Sequence, residues 1–332
     1  MADKVRRKAT GEGFSPASRE SPELGTRHRG NGGRARYRHS PMPMPSSPSA
    51  IDLMIALPPK GDPKHWYDFL RSQLRDQESL EEFEFPAQYM FKHVPHLGVV
   101  EDPIGYLIEQ MDHHGIAKGM LGISPDAQDS LDALRLHPDR FFGSFEVDPN
   151  KGMEGVRELE YAVKTLGAKA ATAFPAGLNP QVPINDKKFY PIYAKCVELD
   201  IPICVCAGIP GPRVPFAVQD VALIDEVCWF FPDLKFVTRH GCEPWADLAV
   251  KLMLKWPNLY YSTSAFAPKH YPKEIIDYAN TRGADKIMYA GYFPMGLSLD
   301  RIFEELPGVA FRDHVWPKFL HENARKVFKL DD

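Results

Sequence analysis

The stretch 201-IPICVCA-207 and the later run 234-LKFVTRH-240 decide the fold of this chain. Both runs are short and apolar, as expected of buried strands, and residues 217–231 between them show the spacing of an amphipathic helix. A strand, a helix and a second strand in this order imply two parallel strands joined by a crossover helix. The sequence therefore predicts an α/β fold.

The same alternation occurs eight times from residue 51 onward. The strand-like runs are 51–56, 119–123, 141–145, 168–174, 201–207, 234–240, 259–263 and 287–291. The helical patterns are 103–115, 126–137, 152–166, 187–199, 217–231, 244–255, 272–281 and 313–328. Eight such units predict a (β/α)8 TIM barrel over residues 51–332, with 57–100 as an insertion after the first strand. A doubly wound open sheet would need a GxGxxG turn after an early strand, and the sequence has none there.

The composition restricts the class of protein further. The 332 residues are 44% hydrophobic and 25% charged, with a net charge of −4, values typical of a soluble globular protein without a general nucleic-acid footprint. No apolar run approaches the ~20 residues that a membrane-spanning helix needs. Five cysteines are few and odd in number, which argues against a disulfide framework and favours the cytoplasm.

Residues 1–50 differ from the rest of the chain. They contain ten Lys/Arg against four Asp/Glu, together with six Gly, six Pro and seven Ser. This segment offers too little apolar surface to offset the entropy of ordering, so we expect a disordered basic leader before the barrel domain. A binding arm for nucleic acid or anionic lipid is the alternative.

Several phrases, in order, resemble the amidohydrolase-related (type 2) family, which includes aminocarboxymuconate-semialdehyde decarboxylase and resorcylate decarboxylases. These phrases include 107-LIEQMDHHGIAKGML-121, 137-HPDRF-141, 231-FPDLKFVTRHG-241 and 319-FLHENAR-325. The resemblance covers about residues 51–330. It implies a barrel of the metal-dependent-hydrolase type and a divalent ion, often zinc, at the carboxyl ends of the strands.

The expected ligand positions of this family are mostly lost. The two first-strand histidines fall on Met54 and Ala56, the fifth-strand histidine on Cys206, and the eighth-strand aspartate on Tyr292. The sixth-strand histidine alone is kept, as His240. Because a catalytic zinc site needs about three protein ligands, we expect a degenerate site with neither metal nor another cofactor.

His240 is the main candidate for acid–base catalysis, with a packed structural histidine as the alternative. Tyr292 and Cys206 are expected to complete the catalytic pocket, although a buried structural cysteine is the simpler interpretation of Cys206. Arg239 alternates with His240 and is therefore expected to point outward, toward the helices. The candidate substrate-binding residues are Met54, Ala56, Glu243 and His65.

Other histidines and cysteines could rebuild a site. His65, His93 and His96 lie in the insertion, on the catalytic side of the predicted barrel. His113 and His114 are neighbours on a predicted helix, diverge by ~100° and should not both face one ion. Two barrel-mouth cysteines, Cys206 and Cys242, could still hold zinc with His240 or form a Cys–His pair.

The resemblance implies a hydrolase or carboxy-lyase that acts on a small cyclic or aromatic carboxylic acid, here without the usual metal. The alternative is a catalytically inactive barrel that serves as a binding module or partner subunit. The expected partners are a small-molecule substrate and further copies of the chain, with neither nucleic acid nor a membrane.

Overall fold

The computed structural model describes residues 44–46, 48–60, 67–81, 85, 87–91 and 93–331. Eight parallel strands form one curled sheet in the order of the chain, and each strand pairs with the next. They are β1 Ala50–Asp52, β2 Ile116–Gly122, β3 Phe141–Glu146, β4 Ala168–Ala173, β5 Ile203–Cys206, β6 Phe236–Arg239, β7 Leu259–Ser262 and β8 Ile287–Met288. The predicted α/β barrel is confirmed. Most of the predicted basic leader, residues 1–43 and 47, lies outside the described residues. Ala50, the last residue assigned to the leader, is instead the first residue of β1.

Helices follow the strands along the chain. They are α1 Asp68–Arg71, α2 Gln77–Glu81, α3 Pro103–His114, α4 Gln128–Leu136, α5 Met153–Lys164, α6 Tyr190–Glu198, α7 Leu223–Phe230, α8 Ala246–Lys255, α9 Lys273–Tyr278, α10 Leu299–Glu305 and α11 Asn323–Phe328. Helices α1, α2 and α10 were not predicted from the sequence. Within the range predicted as one helix, 313–328, a π-helical turn, Lys318–Glu322, leads into α11. Within the described residues, no helix is both long and apolar enough to cross a membrane.

Local sequence explains where the helices begin and end. At α3, the Asp102 side chain accepts the Gly105 backbone N–H, and Pro103 occupies the first turn, where its missing N–H costs nothing. Gly115 ends this helix with a φ of 67°, a left-handed conformation that suits glycine. At α10, Ser298 accepts the Arg301 N–H in the same way.

The apolar core has two layers. Inside the barrel, alternate strand residues such as Met120, Phe142, Cys204 and Val237 pack together. Phe328 of α11 closes the lower end of this layer, with its ring 5.8 Å from that of Phe142. The second layer fills the space between the strands and the surrounding helices. Because the lower end is filled, access to the barrel interior is left at the carboxyl ends of the strands.

A buried carboxylate joins the first and last strands. Asp52 Oδ1 accepts the backbone N–H groups of Met54 at 2.9 Å and Gly291 at 2.8 Å. Beyond these bonds, Ala56 N donates to Phe293 O at 2.9 Å. A Cβ at Gly291 would lie 2.6 Å from Asp52 Oδ2, so glycine is needed for this close approach. The Asp52 side chain thus joins β1 to the segment after β8, in addition to the backbone hydrogen bond between Ala56 and Phe293.

Candidate active site

A cavity of about 1130 Å³ opens at the carboxyl ends of the strands. This volume is at the upper end of the ~300–1,000 Å³ typical of small-molecule pockets. The last residues of β3, β5 and β6, which are Glu146, Cys206 and Arg239, contribute to its lining. Parallel strands bring their carboxyl ends to one rim, which is where TIM barrels bind their substrates.

Aromatic side chains form one wall of the cavity. The Tyr292 ring stacks on Phe91 at 5.6 Å between centroids and lies 6.1 Å from Phe85. The Phe85 ring in turn lies 5.7 Å from Tyr67. Tyr67, Phe85 and Phe91 all come from the segment after β1, so the described part of the predicted insertion contributes this wall. Flat apolar surfaces of this kind favour a flat, aromatic ligand.

Polar contacts hold this segment against the loop after β5. Arg213 Nη1 donates to Asp76 Oδ1 at 2.7 Å and to Glu78 Oε2 at 2.9 Å. The Arg213 guanidinium also lies 4.4 Å from the centre of the Tyr89 ring, and the Tyr89 hydroxyl donates to the Gly211 carbonyl. These partners are largely exposed, so we expect the attachment to weaken at high salt.

Arg239 points into the barrel, and the expectation that it faces the helices is wrong. Arg239 lines the cavity and lies opposite Cys206 in the register of β5 and β6. Its Nη2 contacts Met54 Sδ. The alternation fails after Arg239 because the strand ends there. His240, Gly241 and Cys242 have φ angles of 63°, 82° and 59°, which turn the chain so that His240 reaches the cavity as well.

The structure brings His240 and Tyr292 together on the cavity wall. Their ring centroids are 5.5 Å apart in an edge-on arrangement. The Ser264 hydroxyl accepts the His240 backbone N–H at 3.0 Å and lies 3.2 Å from Nδ1, which limits how the imidazole can turn. Burial, and then the nearby Arg239 charge, lower the pKa of His240 to about 3. The imidazole is therefore neutral at pH 7 and has no proton to spare for a general acid.

Glu146 is a candidate that the sequence analysis missed. It ends β3 and lines the cavity, through which it keeps solvent access. Burial raises the pKa of this carboxyl, and the charge of Arg239 partly opposes that shift. A carboxyl with a raised pKa can deliver and accept a proton closer to neutral pH. Counting in steps of two from the buried Phe142 would have identified it.

The other predicted catalytic groups are protonated at neutral pH. Burial raises the pKa of the Cys206 thiol to about 12, although Arg239 opposes the shift. Burial also raises the pKa of the Tyr292 hydroxyl well above its usual range. A thiol with so high a pKa is a poor nucleophile, whereas a neutral phenol remains a good hydrogen-bond donor.

The predicted substrate-binding residues and the other two histidines of the insertion divide into three groups. Met54, Ala56 and Glu243 line the cavity. His65 lies outside the described residues. The two remaining insertion histidines, His93 and His96, are exposed and are not among the lining residues.

The side chains at the barrel mouth do not fit a divalent ion. Of the positions where the resemblance expects ligands, Ala56 has no donor atom and Met54 offers only a thioether, which suits softer ions. In the described ranges, the one group of three His, Cys, Asp or Glu side chains near enough to share an ion is His113, His114 and Asp300, with donors within 4.8 Å. The two histidines thus approach one point, contrary to expectation, but they end α3, ahead of β2 and away from the cavity.

The fold and the position of the cavity define a TIM-barrel protein of the α/β class. A family model described as amidohydrolase matches residues 107–330, about two thirds of the chain. The chain therefore belongs to the amidohydrolase family. A search of curated proteins gave no significant match.

Solved structures share this fold at low sequence identity. An uncharacterised TIM-barrel protein from Bordetella bronchiseptica has 22% identity and a TM-score of 0.64, over 84% of this chain and 98% of that one. 5-Carboxyvanillate decarboxylase from Novosphingobium aromaticivorans, with bound manganese and a substituted nitrobenzoic acid, has 19% identity and a TM-score of 0.62, over 85% and 97%. 2,6-Dihydroxybenzoate decarboxylase from Rhizobium has 17% identity and a TM-score of 0.59, over 85% and 98%. At these identities the likeness shows the fold.

Proposed function

We propose that this protein is a carboxy-lyase or hydrolase that acts on a small aromatic or cyclic carboxylic acid, and that protein groups replace the usual catalytic metal. The observation that carries the proposal is a cavity with an aromatic wall at the carboxyl ends of the strands, where His240 and Tyr292 are in contact and Glu146 belongs to the same lining. The decarboxylases of similar fold act on hydroxylated benzoic acids.

Decarboxylation of a hydroxybenzoate is the reaction that these groups suit best. A proton reaches the ring carbon that carries the carboxylate, the bond between the two carbons breaks, carbon dioxide leaves, and the bonding electrons return to the ring. Glu146 is a carboxyl of the cavity lining whose pKa is raised by burial, and it is the proton donor in this scheme. Tyr292 and the neutral His240 would orient the ring hydroxyl by hydrogen bonds, which places the reacting carbon.

The test is turnover after metal removal. The full chain is treated with EDTA, and the release of carbon dioxide from a panel of hydroxybenzoates is measured with and without added Mn²⁺ or Zn²⁺. We expect the same rate in both cases, and a loss of roughly 10²–10⁴-fold in Glu146→Gln, the usual size of an acid–base contribution. Glu198→Gln, at an exposed position on α6, is the matched control and should keep the full rate.

Two outcomes would contradict the proposal. Activity that returns only with an added metal would show that the remaining side chains rebuild a metal site. Absence of turnover with every acid in the panel would favour the catalytically inactive barrel.

A further inference from the structure

Arg239 is a cation that lines the cavity and forms no ion pair with an acidic side chain among the described residues. Its Nε is buried and has no hydrogen-bond partner among the described residues. None of the ion pairs between described residues includes it, and the contact of its Nη2 is with the uncharged thioether of Met54. Glu146 is near enough for its charge to act on Arg239, but the two do not form an ion pair.

An arginine in this environment lowers the free energy of unfolding of the protein. The guanidinium stays charged at every physiological pH, so it cannot escape burial by losing a proton. A partly buried charge without a partner therefore lowers the stability of the free protein. The flat fork of a guanidinium matches the two oxygens of a carboxylate, which would satisfy it from outside the chain.

Arg239 also occupies the place where the family resemblance puts the ion. Three of the lost ligand positions, Met54, Cys206 and Tyr292, are its neighbours: Met54 in contact, Cys206 opposite it on β5, and Tyr292 near enough for its hydroxyl to respond to the charge. A positive charge thus remains among these positions, although it comes from a side chain.

We propose that Arg239 binds the carboxylate of the ligand and takes the place of the divalent ion as the fixed positive charge of the site. The inference rests on the proposed function for the class of ligand, a flat aromatic acid, but concerns binding alone. The aromatic wall holds the ring, and Arg239 selects the acid over neutral molecules of the same shape.

The experiment compares benzoate with benzamide, its neutral isostere. Benzoate has no ring hydroxyl to assist decarboxylation, so its binding is measured without turnover. Dissociation constants are obtained by ligand-observed NMR with EDTA present, for the wild-type chain, Arg239→Met and Arg239→Lys. Arg135→Met, which removes an exposed arginine of α4, is the matched control.

We expect the wild type to bind benzoate about 10- to 100-fold more tightly than benzamide, the size of a hydrogen-bonded charge contact. Arg239→Met should bind both ligands equally, Arg239→Lys should keep part of the preference, and Arg135→Met should keep all of it. Arg239→Met should also unfold at a higher temperature than the wild type without ligand, because it removes an unpaired buried charge.

Three results would overturn the inference: a preference for benzoate that survives in Arg239→Met, equal or no binding of the two ligands by the wild type, or an Arg239→Met protein that does not fold. A preference that depends on Arg239, in a protein that turns over no hydroxybenzoate, would instead sustain the inference and refute the proposed function. Failure of the inference about Arg239 and failure of the proposed function are therefore distinguishable.

Discussion

Replacement of Asp52 by asparagine should make the protein more stable at neutral pH and leave its stability unchanged in acid. Asp52 is fully buried, and burial raises the pKa of its carboxyl from 3.8 to about 6, although its hydrogen bonds oppose the shift. The folded chain therefore binds this proton more tightly than the unfolded chain does. Below about pH 3 the group is neutral in both states, so it contributes no penalty there.

The penalty develops as the pH rises from about 3 to 6, because the unfolded chain ionises first. The difference between the two pKa values corresponds to about 3 kcal/mol of unfolding free energy at pH 7 and above. Asparagine keeps the shape and an acceptor oxygen for the Met54 and Gly291 N–H groups, but it has no charge to bury. Asp52→Asn should thus gain up to about 3 kcal/mol at pH 7.5 and only about 0.5 kcal/mol at pH 4.

Urea unfolding of both proteins at pH 4, 5.5 and 7.5 measures this difference. Asp52→Ala should be less stable than Asp52→Asn by about 2–6 kcal/mol at each pH, since it leaves two buried N–H groups without an acceptor. Asp126→Asn, at an exposed position, should show no pH-dependent gain. A gain in Asp52→Asn that is the same at all three pH values would refute the reasoning.

Three further predictions concern other parts of the chain. Cys206→Ala should keep turnover within about tenfold, because a thiol with a pKa near 12 is not the nucleophile, and a larger loss in a steady-state assay would contradict this. Arg213→Ala should speed amide hydrogen exchange in residues 67–91. It should lower the unfolding temperature by only a few degrees, since exposed ion pairs contribute about 0–1 kcal/mol each. Unchanged exchange would mean that other contacts hold this segment. A chain that starts at Met44 should unfold within ~2 °C of the full chain by calorimetry, and a larger drop would show that the leader packs on the barrel.

The fold was predictable because strands that are buried on both faces read as continuous apolar runs. The residues at which some strands and helices begin and end could not be predicted. Asp52 binds the Met54 N–H with its side chain, so β1 ends at Asp52 although the apolar pattern continues to residue 56. Helix α10 has seven residues and buries only Leu299 and Ile302, too few for a periodic pattern to stand out.

The site was predictable only in part, because side-chain direction depends on where a strand ends. Steps of two from the inward-facing Val237 reach Arg239, the last strand residue, so its inward direction could have been predicted. His240 reaches the cavity only because the chain turns after the strand. Positive φ angles at His240 and Cys242 are rare for residues other than glycine, so no pattern of residue types could have indicated this turn. Glu146 lies before any such turn, and the same count would have found it.

The bridge between Asp52 and Gly291 also orders events during synthesis. The two partners are separated by 239 residues, so the carboxylate leaves the ribosome long before the strand that satisfies it. At about 5–20 residues per second, this interval lasts on the order of 12–50 s. During that time the first seven strands can pair in sequence, but the edge of β1 stays open to unwanted partners. Closure of the barrel between β1 and β8 is thus the last pairing of strands that the nascent chain can complete, and it is slow to nucleate.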